Sequence, residues 1–160
     1  MKLLQFPHVK LLTPCEDVEN FNYELAEILD YMWYVMEESN GVGLAANQVG
    51  FSLNMFVMDG PNGRLNLVNP YISLKSKSSA NLKEGCLSAP GEFIVVPERA
   101  EWVQVKYQDE KGIHKSIVLK GIHAVCAQHE IEHLEGKSFM ENKSLSKATR
   151  TKLAKKWEIK

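Results

Sequence analysis

No stretch of this sequence is apolar for long enough to cross a bilayer, which takes about 20 such residues. The short apolar start, "MKLLQFPHVKLLTP", is followed by no small-residue cleavage site, so a secretory leader is not expected either. Cysteine is scarce: Cys15, Cys86 and Cys126 make an odd number with no regular spacing. That pattern excludes a disulfide scaffold and points to a reducing compartment, where a thiol is core filler or a metal ligand. Repeats, low-complexity tracts and linkers are missing too, which leaves one domain over residues 1–160, long enough to bury a core.

Charge is present but uneven. The last eighteen residues, "KSLSKATRTKLAKKWEIK", hold seven Lys or Arg against one Glu, a net +6, so the other 142 residues sum to −7. Ordinary hydrophobic content (44%) and charged content (24%) fit a globular chain.

The pattern along the chain predicts α+β architecture. "TPCE" at 13–16 has the residues of a helix start, with Thr13 as cap and Glu16 three positions on. Phe21, Leu25, Ile28, Met32 and Val35 recur at helical period over about 18–38. Between about 51 and 119 the runs "MFVMD", "LNLVNP", "FIVV", "WVQVKY" and "HKSIVL" read as short strands, with "YQDEKGIH" as a hairpin connection. "GIHAVCAQHEIEHLEG" returns to helix, opened by His123 and closed by Gly136, and a basic helix is expected over about 144–158. The expected fold has antiparallel sheets packed around a central helix that bears the His-Glu motif, with one helix near each end.

"GVGLAANQVG" at 41–50 imitates a dinucleotide-binding turn, since Gly41, Gly43 and Ala46 fill the G-x-G-x-x-A spacing. Such a turn must follow a strand and open a helix. Here a long helix precedes it, and only Asn47 to Gly50 separate it from the next strand, too few for a crossover. The nucleotide reading fails on length.

The strongest local signal is "HEIEH". His129 and His133, at i and i+4, lie about one turn apart on one helix face, close enough to share an ion. Glu130 sits one step round, where it can reach a water on that ion. Chance produces such a pattern in only about one chain in sixty of this composition. A third protein ligand is still required. Cys126 shares the face but precedes His133 by seven residues, a rise of roughly 10 Å, and reads as a buried core thiol. Cys15, with no His or Gly context, reads as an inert half-buried thiol. Cys86, in the loop "KEGCLSAPGE", is the remaining candidate, and a thiolate from a strand end meeting two imidazoles makes a reasonable catalytic metal site.

Taken together and in this order, "GVGLAANQ", "EGCLS" and "QHEIEH" resemble the three signature motifs of peptide deformylases, over about residues 11–156. Three departures stand out. Glu132 occupies a place where the family usually has Asp. "KSFMENKS" replaces an apolar continuation after Gly136. Glu98 adds a carboxylate inside "VVPERAEW".

The resemblance implies a hydrolase that removes the formyl group from N-formylmethionyl nascent peptides and releases formate. Cys86, His129 and His133 become the metal ligands and Glu130 the general acid and base. The Gln48 side chain and the Leu87 backbone N–H hold the developing oxyanion. The substrate groove is expected along Val42, Gly43, Glu84, Gly85, Ile122, Val125 and Cys126, with core packing an equal alternative for Val125. Thiolate and imidazole suit Zn²⁺ by softness, whereas the resemblance implies Fe²⁺, with Zn²⁺, Ni²⁺ or Co²⁺ as substitutes. It also implies a monomer in the cytoplasm of a bacterium or phage-infected host, or in an organelle of bacterial ancestry. No membrane or DNA partner is expected, while the basic C-terminal helix is a candidate for contact with the ribosome. The alternatives are an HExxH metallopeptidase and a non-catalytic peptide- or metal-binding relative.

Overall fold

The computed structural model describes residues 3–160. Its centre is a five-stranded antiparallel sheet, in the order β1 (Gly43–Ala45), β2 (Met55–Gly60), β3 (Gly63–Lys75), β6 (Trp102–Gln108) and β7 (His114–Lys120). Two short strands, β4 (Lys83–Gly85) and β5 (Phe93–Val95), form a separate antiparallel pair. The helices are α1 (Tyr23–Glu38), α2 (Ile122–Leu134) and α3 (Lys147–Lys156). The chain therefore has the α+β class expected of it. The hairpin expected around "YQDEKGIH" joins β6 to β7, with Gln108 opposite His114.

Alternation along β2 decides where the helices sit. Met55 and Val57 pack with Leu29, Met32 and Met36 of α1. Phe56 and Met58, pointing the other way, pack with Ala127 and Ile131 of α2. Each face of the sheet thus carries one helix. Nine of the thirteen α2 residues are buried, including Gln128, His129, Glu130 and His133. A third apolar cluster gathers Phe6, Leu11, Val96, Phe139, Leu153 and Ile159, and fastens α3 beside the β4–β5 pair.

Three expectations about boundaries need correction. Thr13 does not cap α1: its hydroxyl donates to the Val9 carbonyl at 2.8 Å and closes a 3₁₀ turn, Val9–Leu12. Residues 13–22 then run non-helical, with Glu16 bridging Leu53 and the Cys15 N–H donating to the Leu134 carbonyl at 2.8 Å. The cap is Asn22, whose side chain accepts from the Leu25 N–H at 3.0 Å. Likewise α2 is entered through Gly121, at φ 58°, so His123 lies inside its first turn. The C-terminal helix is shorter than expected and is capped by Ser146.

Candidate metal centre

Each signature stretch delivers its residues from a different element. α2 carries His129, Glu130 and His133 on the helix that faces β1 and β2. β4 ends at Gly85, and Cys86 follows in a turn closed by the Ala89 N–H to the Cys86 carbonyl at 3.1 Å. That bond does not use the Leu87 N–H. "GVGLAANQ" is strand β1 followed by a 3₁₀ turn, Ala46–Val49, which stops at Gly50 in the left-handed region. Within that turn Gln48 Oε1 accepts from the Ala45 N–H at 2.9 Å, and Nε2 donates to Ser88 Oγ at 3.0 Å. The Nε2 group also lies 3.9 Å from Cys86 Sγ.

Among the described residues, Cys86, His129 and His133 are the group whose ligand atoms converge. Cys86 Sγ is 3.2 Å from His133 Nε2, which is 3.2 Å from His129 Nε2. Ligands at 2.0–2.3 Å in a tetrahedral site stand about 3.3–3.6 Å apart, so a cation fits among these atoms with little adjustment. At His133 the donor chemistry agrees. Burial, with the nearby His129 and Arg99, pushes His133 well below the usual imidazole range and keeps it neutral, as a ligand must be. Burial disfavours charge on His129, but Cys86 and Glu84 overcome it and favour positive charge there. His129 Nδ1 lies 2.9 Å from Glu84 Oε1, which turns Nε2 toward the ligand cluster. His133 is held through its own backbone, whose carbonyl accepts from Asn47 Nδ2 at 2.6 Å.

Glu130 is 3% exposed, and its Oε2 has no partner among the described residues. Burial pushes its carboxyl up to about 7, against the opposing pull of His129. Cys126 stays apart from the ligand cluster, and burial pushes its thiol well up, so it remains protonated. Cys126 borders the adjoining cavity.

A cavity of about 590 Å³ opens in front of these groups. All seven residues expected along the groove line it, together with Gln48, Leu87 and Phe93. Val42 and Ile122 stand exposed at its rim and Val125 is buried in its wall. Glu84 needs a distinction. Its backbone borders the cavity, but its carboxylate turns away to His129 and Arg99, so it does not offer a side chain to a ligand in the groove. Burial alone would raise that carboxyl; the hydrogen bonds from His129 and Arg99 hold it below the usual range.

The glycines of "GVG" acquire a steric explanation. A Cβ on Gly43 would stand 2.5 Å from Cys126 Sγ and 3.2 Å from Glu130 Cγ, so β1 can touch α2 only where no side chain intervenes. Gly43→Ala is expected to lower stability by about 1–3 kcal/mol through overpacking. Cys126→Ala in the same chain should recover much of it. Thermal melts of the single and double variants check this, and an unchanged melting temperature for Gly43→Ala would refute it.

Sequence reasoning missed Ser88, Arg99 and Phe139. Ser88 is fully buried under Gln48, and the Phe139 ring sits 4.9 Å from the His129 ring. Ser88 closes the quoted "EGCLS" stretch and could have been taken from it, whereas Arg99 and Phe139 carry no periodic or spacing signal.

Comparison with known proteins points one way. The family described as polypeptide deformylase matches residues 1–149. A peptide deformylase of Chromobacterium violaceum is 38% identical over 161 residues, spanning 98% of this chain and 95% of that protein. Peptide deformylase 1 of Shewanella oneidensis is 37% identical over 155 residues, spanning 95% and 91%. Among solved structures, a peptide deformylase of Synechococcus elongatus in complex with actinonin superposes with a TM-score of 0.88 at 33% identity, covering 99% of this chain and 86% of that one.

Proposed function

The chain belongs to the polypeptide deformylase family, and on that premise we propose how its own residues remove the N-formyl group from N-formylmethionyl nascent peptides. Cys86, His129 and His133 would hold the cation, a role supported by the convergence of their three ligand atoms. When bound, the cation supplies Lewis acidity, acidifying a water toward neutrality and polarising the formyl oxygen.

Glu130 takes the water's proton on its unpartnered Oε2 and returns it to the departing amine nitrogen. A carboxyl pushed up to about 7 is suited to both halves of that transfer. Gln48 Nε2, fixed by Ser88 and the Ala45 N–H, and the Leu87 N–H donate to the charge that builds on the formyl oxygen. The methionine side chain rests on Ile122, Val125 and Cys126, and the peptide beyond it runs along the backbone near Gly43 and Gly85. A formyl carbon bears no substituent, so crowding by Cys86, His129 and Gln48 admits it and excludes longer acyl groups. The observation that carries this reading is that Cys86, His129, Glu130 and Gln48 line one cavity, with His133 behind them in contact with Cys86 and His129. Formate release from formyl-Met-Ala-Ser, with no cleavage of its unformylated twin, is the expected result; cleavage of an internal amide bond in the twin would overturn it.

We take Fe²⁺ as the working ion, with Zn²⁺, Ni²⁺ or Co²⁺ as substitutes. Protein purified without oxygen should carry iron and lose activity on exposure to air. Bound zinc with activity indifferent to oxygen would refute iron.

The proposed setting is cytoplasmic, at the ribosome. α3 is anchored by buried Leu153, while Lys147, Lys152 and Lys155 face outward. Such a face suits phosphate contacts on ribosomal RNA. Because Leu153 and Ile159 belong to the core, charge reversal is a cleaner test than deletion. Lys147→Glu, Lys152→Glu and Lys155→Glu combined should abolish low-salt co-sedimentation with ribosomes and spare hydrolysis of a small formyl-peptide. Unchanged co-sedimentation would retire the idea.

A further inference from the structure

Three departures from the family pattern, far apart in sequence, meet behind His129. Arg99, 3% exposed, grips both oxygens of Glu84, with Nε at 2.9 Å and Nη2 at 2.7 Å. The same Nη2 stands 2.5 Å from Glu132 Oε1. The other oxygen of Glu132 accepts from Asn142 Nδ2 at 3.2 Å. Asn142 belongs to the stretch "KSFMENKS", is buried, and donates through the same Nδ2 to Glu98 Oε1 at 2.6 Å. Its Oδ1 is occupied by Ser144, which donates from both N–H (2.9 Å) and Oγ (2.7 Å). A continuous path of contacts therefore runs from Asn142 through Glu132, Arg99 and Glu84 to His129 Nδ1.

The path has a point of competition. Glu84 Oε1 is shared between Arg99 Nη2 and His129 Nδ1. The more completely Arg99 is spent on Glu84, the poorer an acceptor that oxygen becomes for the imidazole N–H. Glu132 competes with Glu84 for the same Nη2 and leaves Glu84 electron-rich. Glu132 does this while also meeting Asn142, with Oε1 on Arg99 and Oε2 on Asn142. Aspartate, one methylene shorter, should hold these two contacts less well.

We propose that Glu132 and Asn142 are positioning residues for the cation ligand His129, acting through Arg99 and Glu84. They hold Glu84 Oε1 as the acceptor of the Nδ1 proton, which fixes the tautomer that aims the Nε2 lone pair at the cluster with Cys86 and His133. This rests on the assignment of His129 as a ligand made above.

The test compares wild type with Glu132→Gln, Glu132→Asp, Asn142→Ala and the Glu132→Gln/Asn142→Ala double variant. Each is loaded with Zn²⁺ or Co²⁺. The readouts are the rate of Zn²⁺ transfer to a chromophoric chelator, the Co²⁺ visible spectrum, the melting temperature, and kcat and KM separately. Loss of an outer partner of a ligating histidine costs about 10–100-fold in metal affinity or activity. Glu132→Gln should release Zn²⁺ faster by that factor, with an altered Co²⁺ spectrum, lower kcat and unchanged KM. Asn142→Ala and Glu132→Asp should show the same signature more weakly. The double variant should be no worse than Glu132→Gln, because both act along one path. Wild-type release and spectrum in Glu132→Gln and Asn142→Ala, with only a lower melting temperature, would overturn the proposal. Should Glu132→Gln not fold, the uncharged change at Asn142 decides on the same readouts. A wild-type protein that takes up no cation would instead overturn the ligand assignment itself.

Discussion

Glu130→Gln should cut formate release from formyl-Met-Ala-Ser by about 10²–10⁴ while the protein keeps its full equivalent of cation. Glutamine has the shape of glutamate but cannot accept a proton and give it back. The side chain it replaces is buried in the cavity wall, and its Oε2 has no hydrogen-bond partner among the described residues. The loss should fall on kcat rather than KM, since the carboxylate acts on a proton in transit and not on the bound peptide. A neutral amide is cheaper to bury than an ionised carboxylate, so the melting temperature should hold or rise and lost folding is told apart from lost chemistry. Elemental analysis beside the rate measurement separates lost chemistry from lost metal. A variant that retains more than a tenth of wild-type turnover would remove Glu130 from the reaction.

How much of this was legible beforehand depended on sequence distance. His129, Glu130 and His133 share one helix, so a spacing of four was enough to place two imidazoles on one face. The strands beyond residue 51 announced themselves by alternation, and β2 uses that alternation to serve α1 with one set of side chains and α2 with the other. β1 has only three residues, too few to show a period, and it was hidden inside a motif that imitates a nucleotide turn. Thr13 and Asn22 were both chemically fit to cap a helix. The choice fell to Asn22 because Glu16 is drawn into a bridge with Leu53, a contact across 37 positions that no local pattern signals. The ionic path behind His129 was invisible for the same reason. Glu84, Arg99 and Glu132 come from three separate segments, and each alone looks like an ordinary surface charge. The departure at Glu132 could be noticed by itself, but only the fold brings it to Arg99 and Glu84.

Cys86→Ala should empty the metal centre, and Cys126→Ala should not. The two thiols were separated in the sequence by helix geometry alone, since a residue seven positions before His133 stands roughly 10 Å along the axis. In the structure Cys86 Sγ is 3.2 Å from His133 Nε2, whereas Cys126 lies against Gly43 with its thiol kept protonated by burial. Without the Cys86 sulfur, two imidazoles on one helix remain, short of the three protein ligands that a catalytic site needs. Removal of a direct ligand should exceed the cost of losing an outer partner, so affinity for Zn²⁺ or Co²⁺ should fall by more than about 100-fold, and formate release with it. Stability supplies an independent readout. A cation that binds only the folded chain raises the melting temperature as its concentration rises. Wild type and Cys126→Ala should show that rise, and Cys86→Ala should stay flat over the same range. A Cys86→Ala protein that still carries one equivalent of cation, or a Cys126→Ala protein that has lost it, would mean that the sulfur beside His133 is not the third ligand.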